Sequence, residues 1–596
     1  MKTLLKSIKR EATAVRILLG VKRWLDPVTP DSEELLADDL ENIVDAHGEA
    51  DAFRFEGRRM TYGAFDAYAN RVAHWALACG LKRGETVALF MDNCPEYVAI
   101  WYGLSKVGVV PALINNQLAG QSLAHCINIV NARLVITGAS QSEAMRSAAD
   151  FLETSPDVWC LGGTCGLSLD EDLPNFSSER PSRELRAGMT NADNCLYIYT
   201  SGTTGMPKAA RMSHAKVRST MRTFIAPCGI SKKDRVYVAM PLYHTTAGLC
   251  GIGVALMTGA SVVLREKFSA SAFWKDCAEE NVSAFVYIGE ICRYLLNHRT
   301  SIHDRSHRVR VGLGNGLRTD VWEPFLERFG VKKMVEFYGS TEGNVKFMNY
   351  DGTVGACGRV PWIARKTYAH VAFVKYDVEK DAPERDENGF CVRAPVGEVG
   401  EAIGRIGDNT MTRFEGYQSD DASQKKILRN VFEEGDAWYR TGDLMRQDAL
   451  GYMYFVDRVG DTYRWKGENV STNEVAEALS DIPGIQTANV YGVPIPGAEG
   501  KAGMASVTTN GYLDYKDLLD RLSARLPKYA IPVFIREQQE AVTTGTFKYR
   551  KVELAEDGYD PERVKDPVWY VDPETGAYRR LSPEDFKKIG SGGGRF

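Results

Sequence analysis

The nine residues Thr200, Ser201, Gly202, Thr203, Thr204, Gly205, Met206, Pro207 and Lys208 combine hydroxyls, two glycines and a cation in one short stretch. Gly202 and Gly205 permit positive φ and close backbone approach. Successive N–H groups and hydroxyls can then surround a polyphosphate, with Lys208 as a point charge. The stretch is not a Walker loop, because G-x-x-x-x-G-K-[ST] is absent. Pro207 also opposes a helix that starts with the lysine at its phosphate-binding end. The plain alternative is a solvated Ser/Thr/Gly surface loop. The preceding "CLYIY" reads as a strand, and a strand feeding such a loop strengthens the phosphate reading.

The elements that must position this loop are legible along the chain. "TVALFMDN", "PALIN", "ARLVITG", "VYVAM", "ASVVL" and "AFVYIG" read as strands, and "YVAIWYGLSKVG" and "SAFWKDCAEE" as helices. Their alternation predicts α/β architecture with parallel sheet. From about Gly397 the style changes to short strands joined by Gly and Asp turns: "GEVGEAIGRI", "WYRTGDLMRQDALGYMYFVDR", "DTYRWKGENV". A smaller α+β unit follows Asp457 and Arg458, with helices at "TNEVAEALS" and "DYKDLLDRLSARLP" and strands at "TANVYGV" and "VFIREQ". Residues 236–264 hold no Asp, Glu, Lys or Arg, which is long enough to suggest a membrane span. Their Pro, Tyr, His, Thr and Gly punctuation instead predicts a buried strand–loop–helix–strand unit.

Length and composition set the frame. The chain has 596 residues, 44% hydrophobic and 25% charged, which predicts several globular domains. A formal net charge of -5 gives no bias toward nucleic acid. Twelve cysteines without a C-x-x-C pair argue against a zinc ribbon and a disulfide framework, so reduced, cytosolic thiols are expected. The first 23 residues carry Lys2, Lys6, Lys9, Arg10, Arg16, Lys22 and Arg23 against Glu11 alone. At helical spacing Leu5, Ile8, Ala12, Val15 and Leu19 share one face. Two readings stand: a helix lying on an anionic membrane, which is preferred, or a helix packed on its own domain with a solvated basic face.

The phosphate stretch, "YTSGTTGMPK", resembles the signature of the adenylate-forming superfamily, which includes acyl-CoA synthetases, peptide-synthetase adenylation domains and luciferases. "GLGNGLR", "EFYGSTEGN", "YRTGDL" and "DRVGDTYRWKGENVSTNEV" follow in that superfamily's order. "FYGSTEGN", "RWKGENVST", "TGTFK" and the tail "DGYDPERVKDPVWYVDPETGAYRRL" are most similar to the fatty acid transport protein/very-long-chain acyl-CoA synthetase branch. The resemblance implies the adenylate-forming fold, α/β with a smaller α+β C-terminal domain that acts as a mobile lid. The expected organisation is a basic amphipathic segment (1–35), a large AMP-binding domain (36–458), a small mobile domain (459–590) and a flexible tail (591–596). The hinge would follow the DRVGD turn, where Gly460 replaces the Asp or Lys of many relatives. Glycine can absorb a large backbone change there.

The resemblance also assigns parts. Residues 200–208 would hold the β- and γ-phosphates of ATP. Glu342, joined by Thr200, would hold Mg²⁺, and Thr341 would touch the α-phosphate. Tyr338, with Gly339 and Ser340 beside it, would stack on adenine, and Gly314, Asn315 and Gly316 would line that pocket. Asp443 would bind the ribose hydroxyls, with Arg458 at the ribose or phosphates. His244 is either a residue beside the acyl and adenylate pocket or a satisfied core histidine. Lys466 either approaches coenzyme A or sits in a solvated turn. Most of the superfamily has T-G-K where this chain has Thr544, Gly545 and Thr546. Lys548, two positions on, is the expected substitute for the catalytic lysine, and Lys551, on the opposite parity, is the weaker candidate.

The implied function is an ATP-dependent, AMP-forming ligase that makes long- or very-long-chain fatty acyl-CoA through an acyl-adenylate. The alternatives are a steroid or bile-acid side-chain ligase, an uptake protein that works by trapping the acid as its thioester, and transfer to a carrier protein instead of coenzyme A. A cytoplasmic location, peripheral on the cytoplasmic face of a membrane through residues 1–23, is expected. A homodimer is the assembly considered, with no nucleic acid partner.

Overall fold

The computed structural model describes residues 2–163, 165–200, 206–378, 380–409, 411–466, 468–496, 498, 500–511, 513–541 and 551–591. They form two compact units. The first comprises Met1–Gly316, Phe325–Thr353 and Arg405–Ile427.

Two sheets build the first unit. One runs, edge to edge, through Lys346–Asn349, Lys333–Gly339, Val311–Asn315, Ala284–Ile288, Arg235–Val238, Ser261–Leu264, Asp51–Phe55 and Arg58–Thr61. Its inner pairs are parallel and both edge strands are antiparallel. The other runs through Leu167–Ser168, Asp157–Leu161, Leu134–Gly138, Thr86–Phe90, Val110–Leu113, Asn194–Thr200 and Lys208–Ser213, parallel except for the last pair. Every residue of Thr86–Phe90 and Val110–Leu113 is buried. Unbroken apolar runs of this kind belong to strands covered on both faces, so the six strands read from the sequence all form. Lys106, fully buried at the end of helix Pro95–Lys106, is held by Glu41 (2.9 Å), Asp66 (2.7 Å) and Asn70 (2.7 Å) of neighbouring helices. That satisfied network makes it a structural cation.

Residues 236–264 fold as the punctuation predicts, with strands Arg235–Val238 and Ser261–Leu264 and helix Ile252–Leu256. The residues between the first strand and that helix add a feature that was not foreseen, a π-helical turn at Thr245–Gly251. Among the described residues no helix is long and apolar enough to cross a membrane. The expectation of uniformly reduced thiols is corrected at one place, where Cys160 and Cys165 are joined by a disulfide. The strand Asp157–Leu161 and the turn after it bring these two together. Their five-residue spacing is not one that the search for C-x-x-C pairs would find.

The N-terminal helix, Lys2–Leu25, docks through a face other than the one anticipated. Ala14 and Ile17 are buried against Tyr350, with Val21 and Met348 beside them. Gly20 lies so close to the helix Ile225–Cys228 that a Cβ there would come 2.8 Å from Ala226 Cβ. Ile8, Ala12 and Leu19 stay exposed, as do Arg16, Lys22 and Arg23. The helix therefore has two apolar faces, one of them used within the unit. The side chains of Lys2, Leu5, Lys6 and Lys9 lie outside the described residues.

The second unit comprises Leu317–Pro324, Val354–Gly404 and Leu428–Phe596. One sheet orders Gly358–Arg359, Tyr452–Arg458, Ala437–Gln447, Val399–Arg405 and Val371–Val374, with Ile427–Arg429 beside Ala437–Gln447. A five-stranded sheet orders Ile485–Pro494, Lys501–Thr509, Phe534–Gln538, Val568–Asp572 and Ala577–Arg580. Helices Thr472–Ser480 and Tyr515–Arg525 bury Val475, Leu479, Leu518 and Leu522 in one core with Val490, Val507 and Phe534 of that sheet. The tail from Val568 completes this α+β layer with two strands and the helix Pro583–Gly590.

Candidate active site

Strand Asn194–Thr200 turns back antiparallel into Lys208–Ser213, and Thr200 and Lys208 face each other in the ladder. The two ends of the phosphate stretch are thus fixed by backbone pairing. Ser201, Gly202, Thr203, Thr204 and Gly205 lie outside the described residues. Pro207 is anchored by His125, whose Nε2 donates to its carbonyl at 3.0 Å.

A third chain segment lies along the open edge of this hairpin. Arg211 N donates to Gly416 O (3.2 Å) and Gln418 N to Ala209 O (2.8 Å). That pairing carries Tyr417 inward over Ala210. Its hydroxyl donates to Glu342 Oε1 at 2.7 Å and lies beside the Thr200 hydroxyl. Its ring lies under Lys208, with Nζ 5.5 Å from the centroid. Burial, reinforced by the Glu342 carboxylate, pushes the phenol far above its usual range, so Tyr417 remains a donor at working pH. Burial also lowers the Lys208 pKa, and the neighbouring Lys426 and Lys425 lower it further, while Glu342 opposes them. Three lysines close enough to repel one another are a cluster suited to a polyanion.

Glu342 is buried in the turn that leaves strand Lys333–Gly339. Asn344 secures that turn, donating to the carbonyls of Arg405 (2.9 Å) and Thr412 (2.8 Å). Thr341 Oγ1 is 3.2 Å from Thr245 Oγ1, and Thr246 Oγ1 donates to Asn315 Oδ1 at 3.4 Å. The π-helical turn thereby ties Thr341 to the Gly314, Asn315 and Gly316 turn. Gly314 admits no side chain, since a Cβ would lie 2.1 Å from Tyr287 O, and Gly316 has φ +76°. Tyr338 is half-buried and pairs with Phe347, their rings 6.0 Å apart. Gly339 is exposed and Ser340 half-buried.

His244 is half-buried and heads the π-helical turn, its carbonyl accepting from Gly248 N at 2.7 Å. Asn93 holds the approach to it, donating to Met240 O (2.9 Å) and accepting from Leu242 N (2.9 Å). Thr200, Lys208, His244, Asn315, Thr341 and Glu342 all belong to the first unit, and one network of contacts links them. One buried carboxylate with a hydroxyl beside it is a small donor set. It would suit a hard, oxygen-liganded cation such as Mg²⁺, which is commonly held by only one or two protein carboxylates.

Asp443, Arg458 and Lys466 belong to the second unit. Asp443 and Arg458 are ladder partners, with Arg458 Nε 3.7 Å from Asp443 Oδ1. Gly442, within strand Ala437–Gln447 and just before Asp443, has φ +75°. Asp457 is buried and caps the helix Thr472–Ser480, accepting from Thr472 N and from Thr472 Oγ1 at 3.0 Å. A Cβ at Gly460 would meet nothing within 4 Å, so space does not require the glycine. Lys466 is exposed in left-handed backbone at φ 53°, with Nζ 5.8 Å from the Trp465 ring centroid. Lys548 lies outside the described residues. Lys551 is engaged elsewhere, donating to Asp461 (2.9 Å) and Thr472 (2.8 Å), which leaves it a structural task.

Sequence reasoning passed over Tyr417, Lys425, Lys426 and Asn93. Each acts through a fold contact distant in sequence, and "EGYQSDDASQKK" has no periodicity or motif that would mark it.

Against known proteins, residues 40–389 match the family model described as AMP-binding enzyme, and 474–548 match the AMP-binding enzyme C-terminal domain. The chain is 43% identical over 544 residues to long-chain fatty acid transport protein 6 of Mus musculus, covering 90% of this chain and 87% of that protein. It is 40% identical over 546 residues to long-chain fatty acid transport protein 2 of Rattus norvegicus, with the same coverages of 90% and 87%. The crystal structure of the anthranilate CoA ligase AuaEII in complex with anthranoyl-AMP superposes with TM-score 0.75 at 21% identity, over 87% of this chain and 96% of that one.

Proposed function

We start from the premise that the chain belongs to the AMP-binding enzyme family, in the branch of the long-chain fatty acid transport proteins, and infer that it is an ATP-dependent fatty acid–CoA ligase. The observation that carries the reading is the meeting of Thr200, Lys208, Tyr417 and Glu342 at the signature hairpin. A carboxylate is too poor an electrophile for a thiol. Attack of its oxygen on the α-phosphorus of ATP forms the acyl-adenylate and expels pyrophosphate. The coenzyme A thiolate then attacks the acyl carbon, forming the thioester and releasing AMP.

The first step brings anions together, so charge neutralisation and positioning dominate it. Lys208, with Lys425 and Lys426 behind it, faces the β- and γ-phosphates together with residues 201–205. Thr341 touches the α-phosphate. Glu342 and Thr200 hold Mg²⁺, which when bound neutralises charge on the phosphates. Tyr417 fixes the Glu342 carboxylate. Tyr338 stacks on adenine within a pocket whose floor, at Gly314, has no side chain. Asp443 accepts from the ribose hydroxyls, with Arg458 beside it, and Lys466 approaches coenzyme A. Lys548 supplies the cation for the attacking carboxylate. His244 stands by the acyl carbon and Asn93 sets its approach. The residues after Asp457 and Arg458 act as the mobile lid, with the hinge at Gly460.

A pyrophosphate-release screen across fatty acids of increasing length and steroid acids, with and without coenzyme A, tests the reading. Release that depends on a fatty acid supports it. Release only with steroid acids moves the assignment to a side-chain ligase, and no carboxylate-dependent release refutes it. Fatty acid flux without ATP or AMP would favour a transporter.

We also propose that the enzyme works on the cytoplasmic face of a membrane, with the N-terminal helix lying on the lipid. The exposed Ile8, Ala12 and Leu19, flanked by Arg16, Lys22 and Arg23, support this. Deleting residues 1–23 should lower liposome binding, and unchanged binding would refute the contact.

A further inference from the structure

At one end of the six-stranded sheet of the second unit, three loops bring exposed apolar side chains together. The strand Gly358–Arg359 pairs with Tyr452–Arg458, with Arg359 opposite Tyr452, and Val360 N donates to Gly451 O at 2.8 Å. The chain leaving that strand therefore emerges beside the hairpin turn that joins Ala437–Gln447 to Tyr452–Arg458. Gly397 N donates to Gln447 O at 2.8 Å, which brings the start of Val399–Arg405 to the same end. Trp362 is 68% exposed and Ile363 45%, Val396 64% and Val399 43%, and Leu450 52%. A core has no use for these five residues, and a solvated turn would not select them. Scattered exposed apolar residues need no explanation, but a cluster drawn from three separate loops does.

The charges beside them indicate what covers them. Arg365 and Lys366 are exposed directly after the Trp362–Ala364 turn, and Arg446 is exposed on the adjacent strand end. Glu398 is neutralised by Lys375 at 3.3 Å, and Asp448 is turned inward, accepting from Leu450 N (2.9 Å) and Tyr452 N (2.8 Å). The acid-rich stretch 377–387 follows Val371–Val374, the edge strand farthest in the sheet order from Gly358–Arg359, although it leaves at the same end of the sheet. Tryptophan with a β-branched neighbour, followed by Arg and Lys, suits the boundary between acyl chains and anionic headgroups. Separate loop tips with exposed cations on the adjoining chain suit a fluid surface better than a flat protein partner.

We propose that this loop cluster, centred on Trp362 and Ile363, is a membrane-docking surface for anionic bilayers. It is distinct from the N-terminal helix, and it takes the enzyme to where its acid is dissolved. The inference rests on the reading of the substrate as a lipid acid. The docking itself can be measured without catalysis.

The test uses the full chain with phosphatidylcholine vesicles, with and without phosphatidylserine. Trp362→Ser combined with Ile363→Ser should lower the partition coefficient by about tenfold or more, since two apolar side chains lose their contact with lipid. Arg365→Gln with Lys366→Gln should lower it only on vesicles that contain phosphatidylserine. Bromine-labelled lipid should quench part of the wild-type tryptophan fluorescence. Trp362→Phe should keep the partition and lose that part, a readout that does not depend on how the serine variant folds. Conversion of vesicle-delivered fatty acid should fall in the serine variant while conversion from albumin is kept. If no acid is converted by the wild type, the ligase reading fails while the partition measurements still decide this one. Wild-type partition of the serine variant together with no Trp362-dependent quenching would overturn the proposal. So would a lipid-free dimer that the serine variant dissociates while its partition is unchanged, since the face would then belong to a second copy of the chain.

Discussion

Replacing Tyr417 with Phe removes one atom from the centre of the candidate site and little else. The ring stays under Lys208, and Ala210 keeps its neighbour. What disappears is the 2.7 Å donor to a buried Glu342 carboxylate. A hydrogen bond to a charged group contributes about 1.5–3 kcal/mol. If Glu342 must be held still to do its work during adenylation, the loss lowers that rate by about ten- to hundred-fold. ATP–pyrophosphate exchange, followed at a series of Mg²⁺ concentrations, reads the effect. Exchange should slow by that factor and the Mg²⁺ requirement should rise. Thioester formation from supplied acyl-adenylate should be nearly unchanged, because that step no longer holds the β- and γ-phosphates. An unchanged exchange rate with an unchanged Mg²⁺ requirement would refute the role of Tyr417. Equal loss in both half-reactions would mean general damage.

Three other outcomes follow from the same geometry. Asp443→Ala should lower kcat/KM for ATP by about ten- to hundred-fold, the loss of bonds to a charged acceptor, and by the same factor for every acid tried; a change in acid selectivity alone would remove it from the ribose. Lys548→Ala should cripple adenylation and spare thioester formation from acyl-adenylate, and equal effects on both would return it to a solvated turn. His214, buried at the start of the helix His214–Thr223, has its pKa pushed down by burial from 6.5 to about 4. Above pH 6.5 it is neutral folded or unfolded. Between about pH 6.5 and 4 the unfolded chain takes a proton that the fold refuses, so stability falls with acid, by up to about 3 kcal/mol. Urea melts should show that slope in the wild type and a flatter one in His214→Asn, and identical slopes would refute the assignment.

The sheet strands were legible because each is a short, unbroken apolar run, which leaves little besides a covered parallel strand. The motifs named most of the candidate site because their residues are contiguous in sequence. Tyr417 was not legible, since its place depends on an edge pairing between residues 209–211 and 416–418 that no local pattern encodes. The N-terminal helix was half legible. Periodicity found the face of Ile8, Ala12 and Leu19, while Ala14, Ile17 and Val21 read as an ordinary flank until Tyr350 was seen beneath them. The Cys160–Cys165 bridge depends on a turn geometry that spacing alone does not specify.

The pairing of Thr200 with Lys208 has a consequence for affinity. Bringing two distant chain positions together costs entropy, and here the sheet ladder has met that cost within the protein itself. The ladder therefore sets the separation of Thr200 and Lys208 in advance, and a ligand that engages both need not draw them together.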